Sequence, residues 1–447
     1  MTARLLRDRL SLLPVAAAAC SILLGSFTNP PVHARPSTQV LVSLHAPASR
    51  HALAHRDTPP MQPTGTLVRS GADVLLADSI HLLHGRRVGL LCNHTSRLSD
   101  GSHLFDTLFA RSDVQLAALF TPEHGFRGSA DAGADVASGT FRGIPVHSLY
   151  GNTQRPRAAM LAEIDVLVMD LQDVGARYYT YISTMAYCME EAAVAGIPVI
   201  LLDRPNPLGG VRVEGPIRHD SLRSFVGYLP VPVRHGMTAG ELARMMIAEG
   251  WLRDAAAPAL TVVPMDGWLR GMYFDDTGLP WVDPSPNLQS LEAVIAYPGT
   301  CLFEGTNISE GRGTEHPFLL IGAPFIDGEE LAAALAEEDI PGVRFEPRRF
   351  VPVPRQGASR PRFSGESCGG VRLHVTDRAR FSGWDCARVM LRRIAALYDG
   401  KVSIRPYLIL LAGDERVLHG YADPPPWRSD AAQFARRRIP YLLYPGI

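Results

Sequence analysis

Short aliphatic runs alternate with segments of helical length in the first half of the chain, and this alternation restricts the fold more than any other feature. The runs are 87–91, 116–120, 166–169 and 199–202, and the segments between them are 102–110, 157–163 and 184–195. Continuous apolar strands joined by helices are typical of a parallel sheet that is covered on both faces. The sequence therefore predicts an α/β protein with a Rossmann-like, doubly wound, mostly parallel sheet.

Polar residues follow each of the predicted strands. These segments are NHTS (93–96), TPEHG (121–125), DLQD (170–173) and DRPNP (203–207). A single Asp or Asn at such a position usually caps the next helix. Ligands of open parallel sheets bind outside the carboxyl ends of the strands, so a run of such ends predicts one shared crevice.

Charge and motifs exclude several functions. Lys and Arg together number 44 against 45 for Asp and Glu, so no basic surplus favours nucleic acid as a partner. No GxGxxG follows the first strand, and neither GxxxxGK[ST] nor HExxH occurs, which argues against a dinucleotide site, a P-loop and a zinc protease. We expect no cofactor and no metal.

The N-terminus has the order of a secretory signal. Three arginines within the first nine residues precede an apolar run over 12–27, and cleavage is expected after Ala34. Residues 35–66 are rich in Pro, Ala, Ser, His and Arg and are predicted to form a linker. We expect a periplasmic or secreted protein without a membrane span in its mature form, with lipid anchoring at Cys20 as the weaker alternative.

The cysteines that follow the signal are odd in number and form no CxxC or Cys/His cluster, which argues against a disulfide framework or a structural zinc site. Cys368 and Cys386 are the one pair that we leave open as a disulfide. The others are expected to be small buried apolar residues.

The rest of the chain predicts a second unit. A catalytic domain over 67–326 is expected to be followed by a smaller C-terminal α/β domain over 327–447. This domain contains a helix over 329–338, a strand over 371–375 and a helix over 384–398. It would close one wall of the crevice.

A glycine-rich polar segment spans 303–317 and carries three glutamates, an arginine and a histidine. Trp281 lies in a turn-rich segment before it. Aromatic rings beside polar loops suit carbohydrate, which offers an apolar face and a rim of hydroxyls. An ordinary surface loop explains the composition equally well.

Four motifs together resemble the exo-β-N-acetylmuramidase family. They are FTPEHGFRG (120–128), DLQDVGARYYTY (170–181), DRPNPLGG (203–210) with EGP (214–216), and EGTN (304–307) with GRGT (311–314). The resemblance covers residues 68–447. The chain departs from the family in its long N-terminal extension and in an irregular segment over 355–366, and neither contains a motif.

The resemblance implies an enzyme that removes N-acetylmuramic acid (MurNAc) from the non-reducing end of peptidoglycan fragments. It also implies a Rossmann-like domain joined to a smaller C-terminal domain, with the active site in the cleft between them. The expected partners are MurNAc-containing oligosaccharides derived from peptidoglycan.

Glycoside cleavage needs a proton donor and usually a second carboxylate. Glu123 is the first candidate for the acid/base, because a carboxyl group that follows a buried strand is partly desolvated. Asp170 and Asp173 are the candidates for the second carboxylate. Glu304 and Glu310 are in reserve, and both are also candidates for substrate binding.

MurNAc carries a lactyl carboxylate, so a site that selects it should offer a cation. The candidates within the motifs are Arg177, Arg204 and Arg312, and an ion pair with a nearby carboxylate is the alternative for each. Candidate partners of the sugar hydroxyl and acetamido groups are Asn93, His124, Tyr178, Tyr181, Asn206 and Asn307.

Two other kinds of protein fit parts of this pattern. A metal-dependent hydrolase could use His94, His124, Glu123 and Asp170 as ligands. A non-catalytic cell-wall protein could use the same cleft to bind sugar alone.

Overall fold

The computed structural model describes residues 67–128, 130–131, 138–255, 257–418 and 427–446. The predicted signal peptide, the linker and Cys20 lie outside the described residues. Within the described part, no helix combines the length and apolarity needed to cross a membrane.

The larger sheet has seven strands in the order β3-β4-β2-β1-β5-β6-β7, and every neighbouring pair is parallel except β3 and β4. The strands are β1 Arg87–Cys92, β2 Gln115–Thr121, β3 Gly139–Phe141, β4 Ile144–Ser148, β5 Val166–Asp170, β6 Val199–Leu202 and β7 Leu260–Val263. The predicted α/β fold is confirmed, and the four predicted aliphatic runs are β1, β2, β5 and β6. In the larger sheet, β2 lies on one side of β1 and β5 lies on the other. The strand order therefore reverses direction at β1, and a crevice is expected at the carboxyl ends of these strands.

Helices flank this sheet and continue into the C-terminal part of the chain. They are α1 Gly71–Val74, α2 Leu104–Phe109, α3 Ala158–Leu161, α4 Tyr181–Ala195, α5 Ala239–Ala248, α6 Leu291–Thr300, α7 Gly328–Ala336, α8 Gly383–Leu397, α9 Tyr407–Ala412 and α10 Trp427–Arg437. The helix α4 ends as predicted at Gly196, whose φ of 69° suits glycine. At the start of α5, Thr238 and Glu241 form a capping box.

The smaller sheet is antiparallel, with the order β8-β10-β9. Its strands are β8 Leu320–Ala323, β9 Val343–Phe350 and β10 Cys368–Val375. Residues of β10 such as Val371 and Leu373 belong to the same buried apolar cluster as Leu91 and Phe120 of the larger sheet. The two sheets therefore share a continuous core, which fixes the loops between them.

Both cysteines of the pair left open from the sequence are free, so a disulfide between them was the wrong prediction. Cys368 begins β10, where its thiol lies near the carbonyl of Glu366, whereas Cys386 points from α8 toward the sulfur of Met390. Each thiol is buried in its own surroundings. Burial raises the pKa of both thiols.

Candidate active site

A cavity of about 890 Å³ opens beyond the carboxyl end of β2. Its walls come from the connections that follow β2 and β5, from residues 285–318, and from two segments over 357–362 and 405–411. The sequence-predicted residues that line it are Glu123, His124, Tyr178, Glu304, Glu310 and Arg312. The structure thus brings together residues from three of the four motifs.

Glu123 lies on one wall, two residues after the end of β2. The hydroxyl of Thr180 donates to its Oε2 at 2.8 Å, and the hydroxyl of Tyr181 donates to its main-chain carbonyl at 3.3 Å. Two left-handed residues follow, His124 with φ 71° and Gly125 with φ 73°, and they turn the chain sharply away from the strand. This turn and the start of α4 together hold the Glu123 carboxyl group at the cavity.

His124 is oriented by its own loop. Its ring Nδ1 lies 2.7 Å from the carbonyl of Ala130, a geometry in which Nδ1 carries the proton and donates. In this tautomer the lone pair lies on Nε2. His124 can therefore accept a hydrogen bond from a sugar hydroxyl group.

Two carboxylates and one guanidinium group form a second wall of the cavity, and we call them the Glu304–Arg312–Glu310 cluster. The Nη1 of Arg312 lies 2.8 Å from Oε1 of Glu304 and 3.1 Å from Oε1 of Glu310. The Oε2 of Glu310 is buried and has no hydrogen-bond partner among the described residues. With both carboxylates ionised, the cluster carries one net negative charge.

The ionisation of Glu304 depends on its surroundings. Burial raises the pKa of this carboxyl group, while the Arg312 guanidinium opposes the shift. Burial also raises the pKa of Tyr407, and the charges of both Glu304 and Glu123 add to that effect. Tyr407 lines the same cavity as both carboxyl groups.

Aromatic side chains form much of the remaining surface. They are Tyr150, Tyr178, Tyr179, Phe225, Tyr297, Phe318 and Tyr407. The hydroxyl of Tyr178 donates to the Tyr297 carbonyl at 2.9 Å, and the two rings meet edge to face. Trp281 lies outside this lining and donates to Asp283 at 2.8 Å. Aromatic faces beside carboxylates are suited to binding a sugar ring.

Asp170 and Asp173, the candidates for the second carboxylate, do not line the cavity. Asp170 is fully buried and forms a two-pronged ion pair with Arg204, with Nε–Oδ1 at 2.5 Å and Nη2–Oδ2 at 2.8 Å. Asp173 accepts from the main-chain nitrogen of Gly175 at 2.8 Å and lies 3.4 Å from Nε2 of His235. The geometry therefore supports a role for both in the fold.

Arg177 also lies outside the cavity lining. It is fully buried and donates to four main-chain carbonyls, those of Pro216, Val231, Leu411 and Ala412. Burial lowers its pKa to about 9. Arg177 thereby fastens the C-terminal end of α9 to the connection that follows β5.

The predicted amide partners of the sugar, Asn93, Asn206 and Asn307, are used within the protein. Asn93 donates to the hydroxyl of Tyr181 at 2.7 Å, and Asn307 bridges to Lys401 and Ser403 at 2.8 Å each. Asn206 donates to the carbonyl of Met237 at 3.0 Å. A Cβ at Gly175, where φ is 81°, would lie 2.4 Å from Oδ1 of Asn206. Only glycine fits this approach.

Sequence reasoning missed several residues of the cavity. Tyr179 and Thr180 belong to the motif over 170–181, but nothing in the sequence distinguished them from the neighbouring residues as part of the cavity lining. Arg360 and Arg362 lie in the irregular segment that was set aside because it contains no motif. The structure makes that segment part of the cavity wall.

The four candidate metal ligands do not converge. Asp170 is occupied by Arg204, and the Nε2 of His94 lies 2.8 Å from the carbonyl of Asp283. Among the described residues, no three His, Cys, Asp or Glu side chains form a group that could hold a metal ion.

Comparison with known proteins gives the family of this chain. Residues 88–292 match the family described as exo-beta-N-acetylmuramidase NamZ, N-terminal, and residues 295–444 match its C-terminal counterpart. The chain is 47% identical over 394 residues to the peptidoglycan beta-N-acetylmuramidase NamZ of Bacillus subtilis, an alignment that covers 84% of this chain and 91% of that protein.

Solved structures agree in fold. A DUF1343 family protein (BF0371) from Bacteroides fragilis superposes with a TM-score of 0.77 at 34% identity, covering 85% of this chain and 99% of that one. A second such protein (BF0379) from the same organism gives a TM-score of 0.69 at 32% identity, covering 86% and 100%. The protein described here therefore belongs to the exo-β-N-acetylmuramidase family.

Proposed function

We propose that this protein is an exo-acting glycoside hydrolase that releases MurNAc from the non-reducing end of peptidoglycan fragments during cell-wall turnover. The observation that carries the proposal is that Glu123 and the Glu304–Arg312–Glu310 cluster line the same aromatic-lined cavity. The family supplies the substrate class. MurNAc-containing oligosaccharides are the proposed partners.

The two walls have different tasks in the proposed reaction. Glu123 donates a proton to the glycosidic oxygen as the bond from that oxygen to the anomeric carbon breaks, so the leaving sugar departs as a neutral alcohol. Positive charge develops on the sugar ring in the transition state. The net negative charge of the Glu304–Arg312–Glu310 cluster stabilises this charge across the cavity.

We place the second carboxylate in that cluster. Glu304 and Glu310 both line the cavity, whereas Asp170 and Asp173 are bound within the fold. The buried Oε2 of Glu310, unpartnered among the described residues, supports a direct contact with substrate. Water then adds to the anomeric carbon and gives one proton to a carboxylate of the site, which replaces the proton lost by Glu123 and completes hydrolysis.

The test is release of MurNAc by the purified protein from the disaccharide MurNAc-GlcNAc and from para-nitrophenyl MurNAc, with and without a chelator. Glu123→Gln should lower kcat by about 100- to 10,000-fold, because it removes the proton donor. The matched control is Glu163→Gln, since Glu163 is exposed and lies outside the cavity lining. It should behave as the unchanged protein.

Three other outcomes would contradict the proposed function or the role of Glu123. Sugar binding without release from either substrate would overturn the proposal in favour of a binding protein. Loss of release on chelation would favour a metal-dependent hydrolase. Full activity of Glu123→Gln would remove Glu123 from the reaction.

We also propose that the mature protein is periplasmic or secreted. The support is the order of charged, apolar and small residues over 1–34. Cell fractionation followed by mass spectrometry of the mature N-terminus tests it, and cleavage near Ala34 is expected. A full-length chain in the cytoplasm would contradict the proposal, and a Cys20→Ser variant that loses membrane association would indicate a lipid anchor instead.

A further inference from the structure

Three arginines of the cavity, Arg360, Arg362 and Arg405, form no ion pair with any described residue. We call them the arginine wall. Arg312 lines the same cavity but does form ion pairs, with Glu304 and Glu310. Arg360 and Arg405 are exposed, and Arg362 is half-buried.

Arg362 is the anchored member of the wall. Its Nη1 donates to the carbonyl of Thr306 and its Nη2 to the carbonyl of Glu304 at 3.3 Å. Its Nε is buried and has no hydrogen-bond partner among the described residues. The main chain thus holds this guanidinium group beside the Glu304–Arg312–Glu310 cluster.

Arg405 lies beside Arg362, because its main-chain nitrogen donates to the carbonyl of Gly305 at 2.8 Å and Arg362 binds the carbonyls of Glu304 and Thr306 on either side of Gly305. Burial lowers the pKa of Arg362, and the nearby Arg405 lowers it further, while the charge of Glu310 opposes both effects. The charge of Glu310 offsets only part of this positive charge, and a bound anion would reduce the remaining repulsion between the two arginines. A planar guanidinium group binds a carboxylate through two parallel hydrogen bonds.

We propose that the arginine wall binds the lactyl carboxylate of MurNAc and that Arg405 is its principal specificity-determining residue. This inference rests on the proposed function. The lactyl carboxylate is the only anionic group that distinguishes MurNAc from N-acetylglucosamine. A sugar held between Glu123 and the Glu304–Arg312–Glu310 cluster would have the wall beside it, because Arg362 binds the main chain of Glu304 itself.

The experiment compares kcat/KM for para-nitrophenyl MurNAc with that for its lactyl methyl ester, which removes the charge and adds one methyl group. The unchanged protein should prefer the acid. Arg405→Ala should lower kcat/KM for the acid by about 10- to 100-fold and change that for the ester little, so that the preference is lost. For Arg405→Lys, kcat/KM for the acid should lie between the values of the unchanged protein and of Arg405→Ala, because lysine keeps the charge but not the planar guanidinium group.

Arg349→Ala is the matched control. Arg349 is an exposed arginine of β9 that lies outside the cavity lining, so its loss should leave both rates unchanged. Arg360→Ala provides a second variant of the wall and should reduce the same preference. Denaturant unfolding of each variant detects any loss of stability. Arg405 and Arg360 are both exposed, so neither substitution is expected to affect the fold.

Several results would overturn the inference. One is equal rates of the unchanged protein on the acid and the ester, and another is a parallel loss on both substrates in Arg405→Ala. If Arg405→Ala loses activity only on a substrate that carries a peptide stem, the wall binds a stem carboxylate instead. Absence of MurNAc release by the unchanged protein would refute the proposed function itself, a result distinct from these.

Discussion

Arg204 forms a two-pronged ion pair with Asp170, which is the last residue of β5. Arg204 itself lies just after the end of β6. Its Nε lies 2.5 Å from Oδ1 and its Nη2 lies 2.8 Å from Oδ2, and both side chains are buried. The same Nη2 donates to the carbonyl of Arg97 at 2.9 Å, so the loop after β1 is held as well. Charged residues that look like a catalytic set in the sequence thus tie three connections of the sheet together.

Asp170→Asn should therefore destabilise the fold. Removing one partner of a buried ion pair leaves the other charge uncompensated, and we expect the free energy of unfolding to fall by about 3–5 kcal/mol. Urea unfolding measures it. Asp165→Asn is the control, because Asp165 pairs with Arg87 at the exposed end of β1 and its loss should have little effect. An Asp170→Asn variant with unchanged stability but much lower kcat would assign Asp170 to catalysis instead.

Thr180→Val should reduce catalysis without unfolding the protein. The Thr180 hydroxyl donates to Oε2 of Glu123, and valine keeps the shape of the side chain but not the hydroxyl group. We expect kcat on para-nitrophenyl MurNAc to fall about tenfold, since a loosely held acid is less effective. Thr180→Ser keeps the donor and should retain most of the activity. Equal losses in both variants would indicate that packing rather than the hydrogen bond matters.

The sequence predicted the centre of the fold better than its edges. The strands β1, β2, β5 and β6 are buried on both faces and form continuous apolar runs, which is a strong signal. The edge strands β3 and β9 contain many exposed or half-buried positions, so their sequences lack that signal. Local apolar pattern predicts a strand only where the strand is buried.

The candidate site was likewise predicted only in part from the sequence. Glu123, Glu304 and Arg312 lie in motifs and line the cavity, as does Glu310 beside the last motif, but sequence could not show that Asp170 is neutralised by a residue 34 positions away. Pairing between strand ends is a tertiary property. The arginine wall was missed for a related reason, since its members come from loops that are far apart in the chain and carry no motif.

Arg312→Met should shift the pH dependence of the reaction. Arg312 lowers the pKa of Glu304 against the effect of burial, so its removal should raise that pKa further. If the reaction needs the ionised Glu304–Arg312–Glu310 cluster, the acidic limb of kcat/KM moves to higher pH. Arg312→Lys keeps a cation and should move the limb less. An acidic limb that stays in place in both variants would show that ionisation of Glu304 does not limit the rate.

His103 should make the fold sensitive to acid. Its Nδ1 accepts from the main-chain nitrogen of Phe105 at 3.1 Å and so caps α2, while its Nε2 lies 2.8 Å from the carbonyl of Asn93. Burial lowers its pKa below that of an unfolded histidine, about 6.5, although the bond to Asn93 opposes the shift. Because the unfolded chain then binds the proton more readily, the stabilisation by neutral His103 is complete above about pH 6.5 and is lost as the pH falls below it.

The measurement is urea unfolding at about pH 7.5 and about pH 5.5 for the unchanged protein and for His103→Asn. Asparagine keeps a side-chain acceptor at the N-cap but does not titrate. The variant should be less stable at the higher pH, because the bond to Asn93 is lost, yet it should lose less stability on acidification than the unchanged protein. Burial also lowers the pKa of the half-buried His94, and the charge of His103 lowers it further. The difference between the two acid losses therefore reports His103 together with its effect on His94. Identical losses would mean that His103 does not change its protonation on unfolding in this range.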